Sequence, residues 1–177
     1  QNLQRLSEHL QQGTYRPQPV RRVWIPKPGS TEQRPLGVPA VRDRVVQAAL
    51  RLVLEPIFER DFAQQSYGFR PQRGCLDALR RVDQLLKQGY TWIVDADLKS
   101  YFDTIPHEPL MERVEEKVSD GQILGLVEVF LNQQVMDGMK CWTPEGGTPQ
   151  GAVLSPLLSN LYLDPLDHQT AGEGIEM

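Results

Sequence analysis

Three short stretches of this sequence carry residue types that could do chemistry together. The first is Val94-Asp95-Ala96-Asp97-Leu98-Lys99-Ser100-Tyr101-Phe102-Asp103. An aspartate at the end of an apolar run is a costly placement unless a cation compensates it, and hard divalent ions such as Mg²⁺ take oxygen ligands of this kind. Asp95 and Asp97 would share a face if the run is a strand. The same residues could instead cap the next helix or pair with an arginine. The second is Lys27 and Arg34, on the two arms of a hairpin whose tip holds Pro28-Gly29-Ser30. Two such cations can close over a triphosphate, the lysine as a point charge and the arginine as a fork, or simply be solvated. The third is the loop Glu145-Gly146-Gly147-Thr148-Pro149-Gln150-Gly151, in which glycines permit close backbone approach and Gln150 offers a donor and an acceptor.

The elements that would position these residues follow from periodicity. Leu3, Leu6 and Leu10 predict a helix over 2–12. From Val20 the pattern becomes a strand, with Arg22 and Trp24 on one face and Val23 and Ile25 on the other, returning through Arg34–Val38. Asp43 is expected to cap a deeply buried helix (Val45, Val46, Ala49, Leu50, Leu52, Val53) that Pro56 kinks or restarts. Leu76, Leu79, Val82 and Leu86 share one face of a further helix, and Thr91–Val94 is expected to be a buried strand. Helices are expected over 107–118 and 121–134. A tight Asp137-Gly138 hairpin should follow, and then a last helix from Ser155-Pro156 to about Asp164. The composition is α+β with helices in excess.

With 177 residues, 40% apolar and 24% charged, the chain is one domain or a domain and part of a second. No apolar run approaches the ~18 residues of a membrane span and no signal peptide opens the chain, so a membrane partner is not expected and an intracellular, cytoplasmic protein is. Cys75 and Cys141 lack metal-ligand spacing and are expected to be reduced and buried; three scattered histidines argue against zinc. The net charge of −4 hides an asymmetry. Residues 1–81 hold 14 Lys+Arg, 13 of them arginine, against 7 Asp+Glu, a net of +7; residues 82–177 hold 5 against 16, a net of −11. A polyanion partner for the first part is the natural reading. The chain opens on Gln1 and stops at Ile175-Glu176-Met177 without a cap, so it is expected to be a piece of a longer protein.

The order and wording of seven blocks match a known family. They are Arg22-Val23-Trp24-Ile25-Pro26-Lys27-Pro28, Arg34-Pro35-Leu36-Gly37, Asp43-Arg44-Val45-Val46-Gln47, Tyr67-Gly68-Phe69-Arg70-Pro71, Asp97–Asp103, Gly147–Gly151 and Ser155-Pro156-Leu157-Leu158-Ser159-Asn160. Across about residues 15–165 the chain resembles group II intron-encoded reverse transcriptases (maturases) and their retron-type relatives. The resemblance implies a right-hand polymerase fold, with residues 1–90 as fingers and 91–177 as part of the palm. It implies RNA-directed DNA synthesis by two-metal phosphoryl transfer. Asp97 would be a metal-binding aspartate, with the Leu98 carbonyl as second ligand of Mg²⁺. Lys27 and Arg34 would grip the triphosphate of a deoxynucleotide, Phe102 would pack under its sugar, and Gln150 would lie beside it. Arg22, Arg70 and Gly151 would contact nucleic acid, while Asp95 and Asp103 are structural. The implied partners are an RNA template, a DNA primer and group II intron RNA, for which a splicing cofactor that mainly binds RNA is the alternative. One departure matters: the family's Tyr-Ala-Asp-Asp strand is missing, and no adjacent Asp-Asp pair occurs anywhere. The chain is therefore expected to be a catalytically incomplete fragment, prone to form a homo-oligomer through an uncovered sheet edge.

Overall fold

The computed structural model describes residues 2–173 and 175; the expected uncapped end at Glu176-Met177 lies outside them. In chain order the elements are α1 (Asn2–Gln11), β1 (Val20–Pro26), β2 (Gln33–Val38), α2 (Val41–Glu59), α3 (Cys75–Lys87), α4 (Tyr101–Thr104), α5 (His107–Glu115), α6 (Gly121–Leu131), β3 (Val135–Asp137), β4 (Lys140–Trp142) and α7 (Ser155–Gly172). The class is α+β. One four-stranded sheet has the order β2-β1-β3-β4, with β1 parallel to β3 and the other pairs antiparallel.

The core lies between helices. From α2 it takes the stripe Val46, Leu50, Leu54 and Phe58, spaced four apart and so on one face. This stripe meets Leu110 and Val114 of α5, Val127, Phe130 and Leu131 of α6, and Leu157, Leu158 and Leu161 of α7. The deep all-round burial expected of α2 does not occur: Val45, Leu52 and Val53 face out. Pro56 does not restart the helix, which runs unbroken to Glu59. The Leu52 carbonyl, which loses its helical donor at Pro56, belongs to an exposed residue.

Asp43 is the third residue of α2 rather than its cap, which is Ala40. Its fully buried carboxylate accepts from the Tyr15 hydroxyl at 2.7 Å and the Gln18 amide at 2.9 Å, close to the positive end of the helix. Burial first, and then the bond to Asp43, push the Tyr15 phenol well above its ordinary pKa. Two amide side chains tie elements together in the same way. Gln133 Nε2 donates to the Gln18 carbonyl, and Gln47 Oε1 accepts from Val153 at 2.8 Å.

Three further expectations are corrected. Residues 90–98 form no strand: Trp92 is 94% exposed and Val94 88%, because none of the four strands pairs with this segment. An apolar run with no partner strand has nowhere to place its amide groups except water. The apolar face of α3 is bare, with Leu76, Leu79, Val82 and Leu86 all exposed and no residue of the helix buried. Cys75 and Cys141 are exposed thiols, one opening that bare helix and the other on the edge strand β4. Helix α7 also outruns its expected end by eight residues, passing through Pro165 to Gly172. Among the described residues no helix is long and apolar enough to cross a membrane.

Candidate nucleotide and nucleic-acid site

The β1–β2 hairpin sets the two cations. Ile25 faces Arg34 across the ladder, and Lys27 follows Ile25 by two residues, its amide donating to Glu32 at 2.9 Å. Strand alternation then puts Lys27 and Arg34 on the same face as diagonal neighbours, both exposed. Sequence reasoning missed Glu32, which pairs with Lys27 Nζ at 2.7 Å across the tip. The lysine holds the Glu32 carboxyl below the usual range. A ligand phosphate at this tip would replace Glu32 as the partner of Lys27.

The loop 145–151 ties that hairpin to the Phe102 segment. Gly37 of β2 donates its amide to the Gln150 carbonyl at 2.6 Å, so the loop runs along the free edge of β2. Thr148 donates to the Phe102 carbonyl at 2.6 Å and Gly147 to the Ile105 carbonyl at 2.7 Å. Gly147 has φ +84°, and a Cβ there would lie 2.7 Å from the Phe102 carbonyl oxygen. Only glycine fits this crossing. At Gly151, with φ +100°, a Cβ would lie 2.6 Å from the Gly37 carbonyl oxygen and 2.8 Å from the Leu36 side chain, so this crossing also calls for glycine. Ser155 Oγ donates to the Pro149 carbonyl at 2.9 Å and holds the far end of the loop on α7.

Phe102 is half-buried, with its ring edge-on to Phe69 (centroids 6.3 Å) and to Tyr101 (6.0 Å). The Tyr101 hydroxyl donates to the Ser159 carbonyl at 2.7 Å, and burial raises its pKa. Four motif blocks that are remote in sequence, those of Arg34–Gly37, Phe69, Phe102 and Gln150, are thus joined by backbone bonds and ring contacts.

Other predicted site residues fall elsewhere. Arg70 is a buried strut rather than a contact for nucleic acid. Nε bonds Glu59 at 3.0 Å, Nη1 bonds the Ala63 and Ser66 carbonyls at 2.6 and 2.9 Å, and Nη2 lies 2.9 Å from Glu59. All three nitrogens are committed to the turn they organise. Asp97 and Leu98 sit in the exposed 90–98 segment, so neither Asp95 nor Asp97 occupies a strand end, and the shared face expected for them does not form. Among the described residues no three histidine, cysteine, aspartate or glutamate side chains gather as a metal site. One exposed carboxylate and one carbonyl do not fit a two-metal centre, which needs ligands that hold both ions ~4 Å apart. Arg22, Gly37, Asp103, Trp142 and Gln150 line a cleft of about 330 Å³; Lys27, Arg34, Asp97 and Phe102 do not.

A family model described as reverse transcriptase (RNA-dependent DNA polymerase) matches residues 25–175. The chain belongs to the reverse transcriptase family. Among curated relatives, it is 40% identical over 167 residues to the group II intron-encoded protein LtrA of Lactococcus lactis subsp. cremoris, covering 94% of this chain and 28% of that protein. It is 44% identical over 169 residues to protein YkfC of Escherichia coli K12, covering 93% and 44% respectively. With nuclear intron maturase 4, mitochondrial, of Arabidopsis thaliana it shares 34% identity over 135 residues, or 76% of this chain and 17% of that one. The chain thus spans less than half the length of these relatives. A reverse-transcriptase-bearing structure titled Cas6-RT-Cas1–Cas2 complex superposes with a TM-score of 0.61 at 26% identity, covering 96% of this chain and 18% of that one.

Proposed function

We propose that this chain is the nucleotide-gripping part of a group II intron-type reverse transcriptase, with residues 1–90 as fingers and 91–177 as part of the palm. The observation that carries it is the backbone clamp of Gly37 on Gln150 and of Thr148 on Phe102, which brings the grip, sugar and primer-end motifs of the family together. Lys27 and Arg34 offset the charge of an incoming triphosphate at the hairpin tip. Phe102, fixed by its carbonyl and by two rings, presents a rigid wall to the sugar. Asp97 and the Leu98 carbonyl would supply only part of the ligand set that the Mg²⁺ ions of phosphoryl transfer require. The 177-residue chain is accordingly inactive as a polymerase by itself. RNA template, DNA primer and intron RNA are the partners this reading assigns to the whole protein. The net +7 of residues 1–81 favours a second role as an RNA-holding splicing cofactor.

The test is equilibrium binding of a deoxynucleoside triphosphate to the chain and to its Lys27→Ala and Arg34→Ala variants, with the nucleoside as control. Each substitution is expected to weaken triphosphate binding and leave the nucleoside unaffected. Equal triphosphate binding by all three proteins refutes the grip. Primer extension by the unmodified chain, lost on Asp97→Ala, refutes the assignment of inactivity.

A further inference from the structure

Strand β1 has a second face that the nucleotide grip does not use. Val20, Arg22 and Trp24 alternate onto the side opposite Ile25 and Arg34, and strand β4 delivers Trp142 beside them. The guanidinium carbon of Arg22 lies 4.7 Å from the Trp142 ring centroid and 5.6 Å from that of Trp24. The Trp24 indole N–H donates to Asp137 at 3.2 Å, which fixes the ring against the β3–β4 hairpin. Among the described residues Arg22 makes no ion pair, and Trp24 is nearly half exposed. Arg22 and Trp142, though not Trp24, also line the cleft of about 330 Å³ that Pro149 and Gln150 share.

We propose that Trp24, Arg22 and Trp142 form a stacking shelf for the bases of single-stranded RNA, apart from the Lys27–Arg34 tip. Aromatic rings and guanidinium planes hold unpaired bases through their faces, whereas a duplex keeps those faces stacked on each other. Asp137 on the Trp24 ring edge and Asp103 in the cleft lining balance the charge of Arg22, so what the shelf offers is the flat faces of the rings and the guanidinium rather than a net positive charge. The excess of 7 positive charges over residues 1–81 draws the strand in at longer range. The inference rests on the reverse transcriptase reading for the choice of RNA as ligand.

The experiment uses a Trp92→Phe background, in which indole fluorescence reports Trp24 and Trp142 alone, and titrates a short oligouridine while anisotropy of the labelled RNA follows total binding. Saturable quenching is expected with the single strand and not with an RNA duplex of the same length. Trp142→Leu should weaken single-strand binding about tenfold, and Arg22→Gln, which leaves both rings in place, should weaken it in the same direction. Absent quenching, equal quenching by duplex, or unchanged affinity in both variants overturns the shelf. If RNA still binds in those cases, the shelf has failed while the polymerase reading stands. Quenching that survives the loss of triphosphate dependence on Lys27 and Arg34 would separate them in the other direction.

Discussion

Arg70 and Asp97 sit at opposite extremes of exposure, and their substitutions should behave accordingly. Arg70 is locked between Glu59 and two carbonyls, so Arg70→Met leaves the Glu59 carboxylate and two acceptors without their partner. A loss of about 3 kcal/mol in urea unfolding is expected; a change within ~0.5 kcal/mol, the range of ordinary surface substitutions, would remove the strut role. Asp97→Ala should fall inside that surface range, because the side chain is exposed and unpaired among the described residues. Asp167 on α7 gives a pH prediction. Burial first, and then repulsion from Asp164, raise its carboxyl pKa against the opposing pull of Ser66, His168 and Arg70. A carboxyl that holds its proton more tightly when folded costs stability as pH rises from the ordinary carboxylate range through the raised value. Asp167→Asn should therefore raise the melting temperature at neutral pH, and calorimetry should show that gain vanish in acid. The two thiols offer a simple check on exposure: both Cys75 and Cys141 should react with a thiol reagent without denaturant.

At the scale of elements, the loop 145–151 and the segment 90–98 differ in how they are held. The loop is bonded at Gly37, Phe102, Ile105 and Ser155, so Gly147→Ala, which drives a methyl into the Phe102 carbonyl, should cost about 2 kcal/mol or more. The segment is exposed throughout and lies in no strand. Limited proteolysis should cut within 90–98 before any helix, and mass spectrometry of the first fragments reads this out. Helix α3 belongs with that segment. Leu79→Lys should leave stability unchanged within ~0.5 kcal/mol in this chain, although the same position reads as core in sequence.

At the scale of the molecule, α2, α5, α6 and α7 share one buried core with Leu6 of α1, while α3 and the 90–98 run present Leu76, Leu79, Val82, Leu86, Trp92, Ile93 and Val94 to solvent. So much apolar surface in one stretch of chain is unusual for an isolated monomer. Light scattering should show a mass that rises with concentration, and Leu79→Lys together with Trp92→Ser should lower it. If the chain holds RNA as proposed, that binding should weaken steeply with salt, since the exposed arginines of residues 1–81 would meet phosphates by displacing counterions.

The sequence by itself determined the family, the α+β class, the hairpin with its Arg22–Trp24 face, the tight turn at Asp137-Gly138 and where the helices from 107 onward begin, though not where they end. These are local properties: alternation, helical spacing and turn chemistry act between residues that are near in the chain. It could not say that Arg70 points inward, that Glu32 answers Lys27, or that Trp142 comes to rest on Arg22, because each depends on a partner brought from another element. It also read α3 and Thr91–Val94 as buried, since an apolar pattern records what a segment is able to bury and not whether a partner is there to cover it. Only the tertiary structure decides that, because burial is a contact between two surfaces and a sequence pattern describes one of them.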